Sequence, residues 1–112
     1  MEVCEEMQKL RDWLDENGIN WEDNSEDLCR HMPNDFVPEY EIWIVRTQFT
    51  INNDFISVIN GHGTWGGYGI YGKNNQGLLE VAGLWGREIR GYLTCEEITK
   101  KITTKYFTTQ EK

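Results

Sequence analysis

Apolar and charged positions follow a helical spacing at the start of the chain. Apolar side chains recur at i, i+4, i+7 and i+11, in the series Val3, Met7, Leu10 and Leu14, with Trp13 beside them. Asn17-Gly18 provides a stop, because glycine tolerates the left-handed conformation that ends many helices. The pattern predicts a helix over residues 2–17. The outer face of this helix then exposes Glu5, Asp12, Asp15 and Glu16.

Strand patterns fill the middle of the chain. Residues 40–51, YEIWIVRTQFTI, are apolar on both faces at the start, which indicates a central strand or one covered on both sides. The turn residues Asn52-Asn53-Asp54 and a second strand over residues 55–59 follow, so we expect a hairpin. Upstream of this hairpin we expect a short strand over residues 19–21, a polar loop over residues 22–27 and irregular chain over residues 32–38.

A helix is predicted near the C-terminus. Thr94 and Glu97 have the spacing of a capping box, in which each side chain bonds the backbone amide of the other residue. The helix should begin there and turn Ile98 and Ile102 inward. The tail from residue 103 onward is rich in β-branched residues, so we expect it to fray or to form a strand.

Two more strands precede this helix, and they complete the prediction of the fold. Residues 78–84 and 88–93 have strand patterns separated by a turn at Gly86-Arg87. The order of elements predicts an α+β fold in one domain spanning residues 1–112. It has an N-terminal helix, an antiparallel sheet of about four strands with a loop rich in glycine and aromatic residues, and a C-terminal helix.

The charge of the chain is concentrated in its N-terminal part. The net charge is −8; residues 1–41 hold thirteen Asp and Glu against three Lys and Arg, and residues 42–112 hold six against eight. Direct binding to nucleic acid is not expected, because neutralising phosphates needs clusters of Lys and Arg. An acidic surface could bind a basic protein, including one that normally holds nucleic acid. It could also serve solubility alone.

Membrane, metal and redox functions receive little support from the sequence. No apolar run reaches eighteen residues and the N-terminus lacks an apolar signal core, so we expect a cytoplasmic protein without a membrane partner. Cys4, Cys29 and Cys95 are odd in number and have no CxxC spacing, which favours reduced, buried or half-buried thiols. Cys29-Arg30-His31 lacks a second ligand pair, and EDNSED lacks the glycine and glutamate of a calcium loop. We therefore expect no metal.

Residues 60–77, NGHGTWGGYGIYGKNNQG, hold seven of the eleven glycines. The segment GHGTWG fits the pattern G-x-G-x-x-G, but GYGIYG follows it and cannot start the helix that a dinucleotide site requires. Three interpretations remain: a twisted hairpin or loop whose aromatic rings pack on the domain, a small-ligand site, or a protein-binding loop. A ligand pocket, shared between the subunits of a homo-oligomer and suited to a nucleotide, would use Asn60, His62, Trp65, Tyr68 and Arg87 or Arg90.

Catalysis is not expected. No carboxylate pair stands out, and His62 has no nucleophile or orienting acid at a diagnostic spacing. We therefore predict that the protein is not an enzyme and needs no cofactor.

Three segments, SVINGHGTWGGYG, GLLEVAGLWG and GYLTCEEITKKI, together resemble small proteins encoded by phages and prophages of Gram-positive bacteria. The resemblance covers roughly residues 55–102 and carries no assigned activity, so no functional residue is transferred. It implies a phage context. Small acidic phage proteins resemble, as a class, inhibitors of host defence, some of which occupy the nucleic-acid channels of CRISPR nucleases. Others are oligomeric sponges that trap nucleotide signals.

The leading hypothesis is a non-catalytic anti-defence protein that binds a host nucleic-acid-binding effector. Its partner-binding residues would be Glu5, Asp12, Asp15, Glu16, Glu22, Asp23, Glu26 and Asp27, with Trp65, Tyr68 and Tyr71 as aromatic anchors. The first alternative is an oligomeric sponge that sequesters a nucleotide immune signal in the pocket above. The second is a structural or accessory phage protein without a ligand.

Overall fold

The computed structural model describes residues 3–27, 43–61 and 77–107 of the chain. The irregular segment expected at residues 32–38 and all but the ends of the glycine-rich stretch lie outside these ranges. Within them, an N-terminal helix, an antiparallel sheet and a C-terminal helix form an α+β fold, which confirms the predicted class. The sheet has five strand positions where the sequence indicated about four.

Helix α1 spans Glu5–Glu16, a little shorter than predicted, with Cys4 at its N-cap. Of its predicted apolar stripe, Met7, Leu10 and Leu14 are fully buried. The inclusion of Val3 was wrong, because the helix begins only at Glu5 and Val3 is exposed before it. The helix ends where Gly18 adopts a φ of +68°. The amide of Ile19 then donates to the carbonyl of Leu14 at 2.9 Å, the bond that closes a Schellman motif and turns the chain away from the helix axis.

The sheet is antiparallel throughout. Its strands are β1 (Trp21–Asp23), β2 (Glu26–Asp27), β3 (Trp43–Ile51), β4 (Asp54–Gly61), β5 (Leu79–Trp85) and β6 (Glu88–Leu93). The order across the sheet is β1-β3-β4-β5-β6, and β2 pairs with β3 next to β1. Trp21 pairs with Phe49 and Asp27 pairs with Trp43, so β1 and β2 share one register and together fill a single edge position.

The prediction of a loop over residues 22–27 was wrong, and the strand expected at residues 19–21 begins only at Trp21. The segment is polar because it forms an edge strand, whose outer side faces solvent. At the interruption between β1 and β2, the amide of Asn24 donates to the carbonyl of Arg46 at 3.0 Å. The hydroxyl of Ser25 accepts from the amide of Arg46 at 3.0 Å, so a side-chain oxygen continues the ladder.

The predicted hairpin between residues 40–51 and 55–59 is confirmed as β3 and β4. Asn52 and Asn53 form its two-residue turn with φ angles of 49° and 72°, which are the positive values of a type I′ turn. β3 is flanked by β1 and β2 on one side and by β4 on the other, as its apolar pattern indicated. A second hairpin joins β5 to β6 at Gly86-Arg87.

Helix α2 spans Cys95–Ile102 and begins at the predicted capping box. The hydroxyl of Thr94 accepts from the amide of Glu97 at 3.3 Å, and the carboxylate of Glu97 accepts from the amide of Thr94 at 3.0 Å. Both helices contribute to one core with the buried positions of the sheet. The buried apolar residues from strands and helix α2 are Val45, Phe49, Ile51, Ile56, Val58, Leu79, Val81, Leu84, Leu93, Ile98 and Ile102.

The expectation that the tail frays or forms a strand was wrong for residues 103–107. Helix α2 continues into a π-helical segment, Thr103–Phe107, despite the β-branched residues. Tertiary contacts hold it: the phenol of Tyr106 donates to Asp54 at 2.7 Å, the ammonium of Lys105 donates to the carbonyl of Leu84 at 3.1 Å, and Phe107 stacks on Trp13. Tertiary contacts therefore override local propensity here.

A Tyr106→Phe substitution tests this clamp through its pH dependence. Burial and the carboxylate of Asp54 raise the pKa of Tyr106 above its ordinary value of 10.0. A raised folded-state pKa stabilises the fold below pH 10, and this contribution is lost as the pH rises above that value. In urea unfolding near neutral pH, we expect the free energy of unfolding of the native chain to be about 1 kcal/mol higher than that of the variant. This difference should shrink above pH 10. A constant difference over the whole range would contradict this account.

Candidate functional site

Helix α1 and the edge strand β1–β2 carry most of the charge of the described chain. Residues 3–27 contain nine Asp and Glu residues against Lys9 and Arg11, a net charge of −7. We define the acidic surface as the exposed acidic residues of these two elements: Glu5, Asp12, Asp15, Glu16, Glu22, Asp23 and Glu26. Asp27, which was also predicted to bind a partner, continues the same edge strand opposite Trp43.

A buried arginine joins the helix to the sheet beneath the acidic surface. Arg11 is only 6% exposed. Charged residues are rarely buried to this extent unless they are paired. Its Nε donates to the hydroxyl of Thr47 on β3 at 2.8 Å, and its Nη2 lies 3.4 Å from a carboxylate oxygen of Asp23 on β1. The guanidinium also lies 4.6 Å from the centre of the Trp21 ring. One side chain therefore fixes α1 against both the central strand and the edge strand.

Asp15 and Asp23 add to this connection from the acidic side. The indole Nε1 of Trp21 donates to Asp15 at 2.9 Å, which ties the last turn of α1 to the first residue of β1. Hydrogen bonds from Ser25 lower the pKa of Asp23, and the nearby charge of Arg11 lowers it further. Asp23 is therefore ionised at neutral pH, and its side chain is 53% exposed.

Other members of the acidic surface have contacts that leave them at the surface. A carboxylate oxygen of Glu5 lies 3.2 Å from the ammonium of Lys9. The carboxylate of Asp12 accepts a hydrogen bond from the side-chain Nε2 of Gln8 at 3.0 Å. Glu26 lies 3.5 Å from the guanidinium of Arg46. Exposed pairs of this kind contribute little to stability. The carboxylates consequently remain accessible to another charged surface.

The other edge of the sheet has a different charge balance. Residues 79–107 hold five Lys and Arg against four Asp and Glu. Arg90 on β6 pairs with Glu88 and lies 5.1 Å from the centre of the Trp85 ring. The fold thus separates an acidic edge at β1–β2 from an edge at β6 where the single Glu and the single Arg of the strand balance.

Of the residues predicted for a nucleotide pocket, the structure describes Asn60, Arg87 and Arg90, and it separates Asn60 from Arg87. Asn60 is buried at the end of β4, and its amide nitrogen donates to the carbonyl of Leu78 at 2.9 Å. Its Oδ1 has no hydrogen-bond partner among the described residues. Arg87 is exposed in the β5–β6 turn, near the Asp54 end of the sheet and away from Asn60. A pocket containing both residues would need a second copy of the chain.

The predicted aromatic anchors Trp65, Tyr68 and Tyr71 lie outside the described residues, as does His62. Their role as core, ligand-binding or protein-binding residues stays a prediction.

The described part of the chain contains no metal-binding cluster and no activated thiol. No group of three or more His, Cys, Asp or Glu residues there could hold a metal ion. Cys4 and Cys95 are free thiols, and burial raises the pKa of both, so little of either is present as thiolate at neutral pH. Cys29 lies outside the described residues. None of the described helices is long and apolar enough to cross a membrane.

A cleft that the sequence analysis missed lies at one end of the acidic surface. It has a volume of about 450 Å³ and lies between residues 18–22, residues 48–51 and Phe55. Phe55 was predicted only as the first residue of a strand, yet 58% of it is exposed. The sequence offered one signal for this cleft, namely an aromatic residue at the junction between a turn and a strand.

The arrangement suits binding through charge, because exposed carboxylates on two adjacent elements can contact a cationic surface without any reacting group. No protein-family model, curated protein or solved structure matches the chain.

Proposed function

We propose that the chain is a non-catalytic inhibitor that binds a nucleic-acid-binding protein through its acidic surface. The observation behind this proposal is that a segment of net charge −7 folds into α1 and the edge strand β1–β2 with seven of its nine acidic residues exposed. Asp12 and Glu16 follow one another at i, i+4 on α1, about 6 Å apart along the axis, and Glu5 precedes Asp12 by about 10 Å. This row of negative charge can occupy a basic groove in place of phosphates.

Two effects suffice for this mechanism: electrostatic attraction of the basic groove and competition with the nucleic acid that the groove normally binds. A negative potential attracts a basic groove over distances of about one Debye length, roughly 8 Å at physiological salt, and repels free nucleic acid. The bound inhibitor then excludes the natural ligand from the groove by occupying it. Arg11 contributes by holding α1 and β1 in a fixed relation, so that the carboxylates of both elements are presented together.

The resemblance of residues 55–102 to phage proteins supports the proposal that this activity acts against host defence. Our proposal is an anti-defence protein that acts in the cytoplasm of a bacterial host on an immune effector, such as a CRISPR nuclease. The nucleotide-sponge alternative has less support, because Asn60 and Arg87 lie apart within one chain. Arg90, the other arginine predicted for that pocket, is paired with Glu88. The aromatic anchors proposed from the sequence would extend the same interface.

The experiment is capture from a bacterial lysate on the immobilised chain, followed by elution with duplex DNA. We expect a captured protein to be released by excess DNA and by raised salt. Asp12→Asn with Glu16→Gln should weaken capture by about tenfold, because each exposed charge contributes up to about 1 kcal/mol and tenfold corresponds to about 1.4 kcal/mol. Both residues are exposed, and the guanidinium of Arg11 bonds Thr47 and Asp23 instead, so the fold should be retained.

A matched control removes the same amount of charge elsewhere. Glu88→Gln with Glu96→Gln neutralises two exposed carboxylates outside the acidic surface. This control should capture the partner like the native chain. A captured protein that resists excess DNA, or an equal loss in both double variants, would refute the proposal.

A further inference from the structure

The cleft beside the acidic surface arises from the way α1 ends. The Schellman bond from Ile19 to Leu14 diverts the chain, so that β1 begins to pair with β3 only at Trp21, opposite Phe49. β3 continues through Ile51, two residues beyond that pair. The space between the diverted loop and the last two residues of β3 is the cleft.

Half of the ten residues that line the cleft are apolar. Ile19 and Trp21 form one wall, Phe49 and Ile51 lie on β3, and Phe55 lies on the start of β4. Its volume of about 450 Å³ falls within the roughly 300–1,000 Å³ typical of ligand sites. An aromatic side chain that is 58% exposed at such a site has apolar area available for a partner.

The charge around the cleft is negative. Glu22 lines it, and Asp15 accepts from the indole of Trp21, so two carboxylates flank the cleft. The guanidinium of Arg11, which lies over the Trp21 ring, is paired with the carboxylate of Asp23. Among the described residues, no Lys or Arg lines the cleft. An occupant that places an apolar group in the cleft should therefore carry positive charge beside it.

We propose that the cleft receives one large apolar side chain, aromatic or aliphatic, from a basic segment of the protein that the acidic surface binds. This inference rests on the proposed function and specifies the chemistry of the partner. The carboxylates supply attraction and orientation, while the cleft supplies the buried anchor that dominates most interfaces. Charge alone would bind any basic surface, whereas the anchor selects a segment that presents an apolar residue among Lys and Arg.

Three fluorescein-labelled peptides test the inference by fluorescence anisotropy. The first is a short run of lysine and arginine around a central tryptophan, the second has alanine in place of tryptophan, and the third has aspartate and glutamate around tryptophan. We expect the basic tryptophan peptide to bind the native chain about tenfold more tightly than the basic alanine peptide, a difference of about 1.4 kcal/mol. Phe55→Ala should remove this difference.

The matched control is Ile89→Ala, which removes an exposed apolar side chain from β6 at the other edge of the sheet. It should leave all three affinities unchanged. If both basic peptides bind equally and Phe55→Ala changes neither, the cleft proposal is overturned while the acidic surface stands. If the acidic peptide binds as tightly as the basic tryptophan peptide, the cleft does not select a basic segment. If neither basic peptide binds better than the acidic one, the proposed function fails as well.

Discussion

Gly83→Ala is expected to destabilise the protein by at least about 3 kcal/mol. Gly83 interrupts the regular pairing of β5 at a φ of +94°, outside the region that residues with a Cβ readily adopt. A Cβ at this position would lie 2.1 Å from the carbonyl oxygen of Phe55 and 3.3 Å from the Cα of Ile56. Because both atoms belong to the backbone of β4, no rotation of a side chain relieves the clash. β4 and β5 would have to separate.

Gly86→Ala is the matched control, since Gly86 also has a positive φ, of +62°, but no atom lies within 4 Å of its hypothetical Cβ. The control variant should lose only about 1 kcal/mol of unfolding free energy, which is the ordinary cost of placing a residue with a Cβ in the left-handed conformation. Thermal unfolding monitored by circular dichroism measures both variants, and about 3 kcal/mol corresponds to a decrease in Tm of roughly 12 °C or more for a domain of this size. Equal losses in the two variants would show that close approach of β4 to Gly83 is unimportant.

Local sequence signals predicted the elements whose geometry is set locally. The Asn52-Asn53 turn and the Thr94–Glu97 capping box each depend on residues within a few positions of one another, and both formed as expected. The apolar stripe of α1 was predicted correctly from Met7 to Leu14 for the same reason. By contrast, the segment 22–27 has the composition of a loop, and only its partner β3 makes it an edge strand.

The candidate site was predicted in part. The exposed acidic residues of α1 follow from helical spacing, since they lie opposite Met7, Leu10 and Leu14. The role of Arg11 could not be read in this way, because its burial depends on Thr47, which is thirty-six residues away along the chain. The cleft depends likewise on the distance between the end of α1 and the end of β3. The composition thus showed that the negative charge lies in the N-terminal segment. Tertiary contacts determine how the acidic residues of this segment are arranged on the surface.

Thr47→Val should cost about 2–3 kcal/mol, although valine fits a buried strand position. The hydroxyl of Thr47 accepts from Nε of Arg11 at 2.8 Å and donates to the sulfur of Met7 at 3.1 Å, and Thr47 is fully buried. Valine keeps the shape but leaves a buried, charged donor without its acceptor. Thr47→Ser keeps the hydroxyl and should lose only about 1 kcal/mol, from the deleted methyl group. Urea unfolding at neutral pH measures these differences.

A double variant separates the lost hydrogen bond from simple repacking. Arg11→Met retains an apolar stem on α1 and removes the charge that Thr47→Val leaves unsatisfied, so the two substitutions together should cost less than the sum of the single losses. We expect a coupling free energy of about 1–2 kcal/mol, because replacing both partners of a buried hydrogen bond is milder than replacing one. Additive losses would mean that Arg11 is held by Asp23 and Trp21 rather than by Thr47. In that case, Arg11→Met alone should loosen the edge strand and expose its amides to hydrogen exchange. Coupled losses would instead place the attachment of α1 on β3, with the acidic surface held together through the central strand.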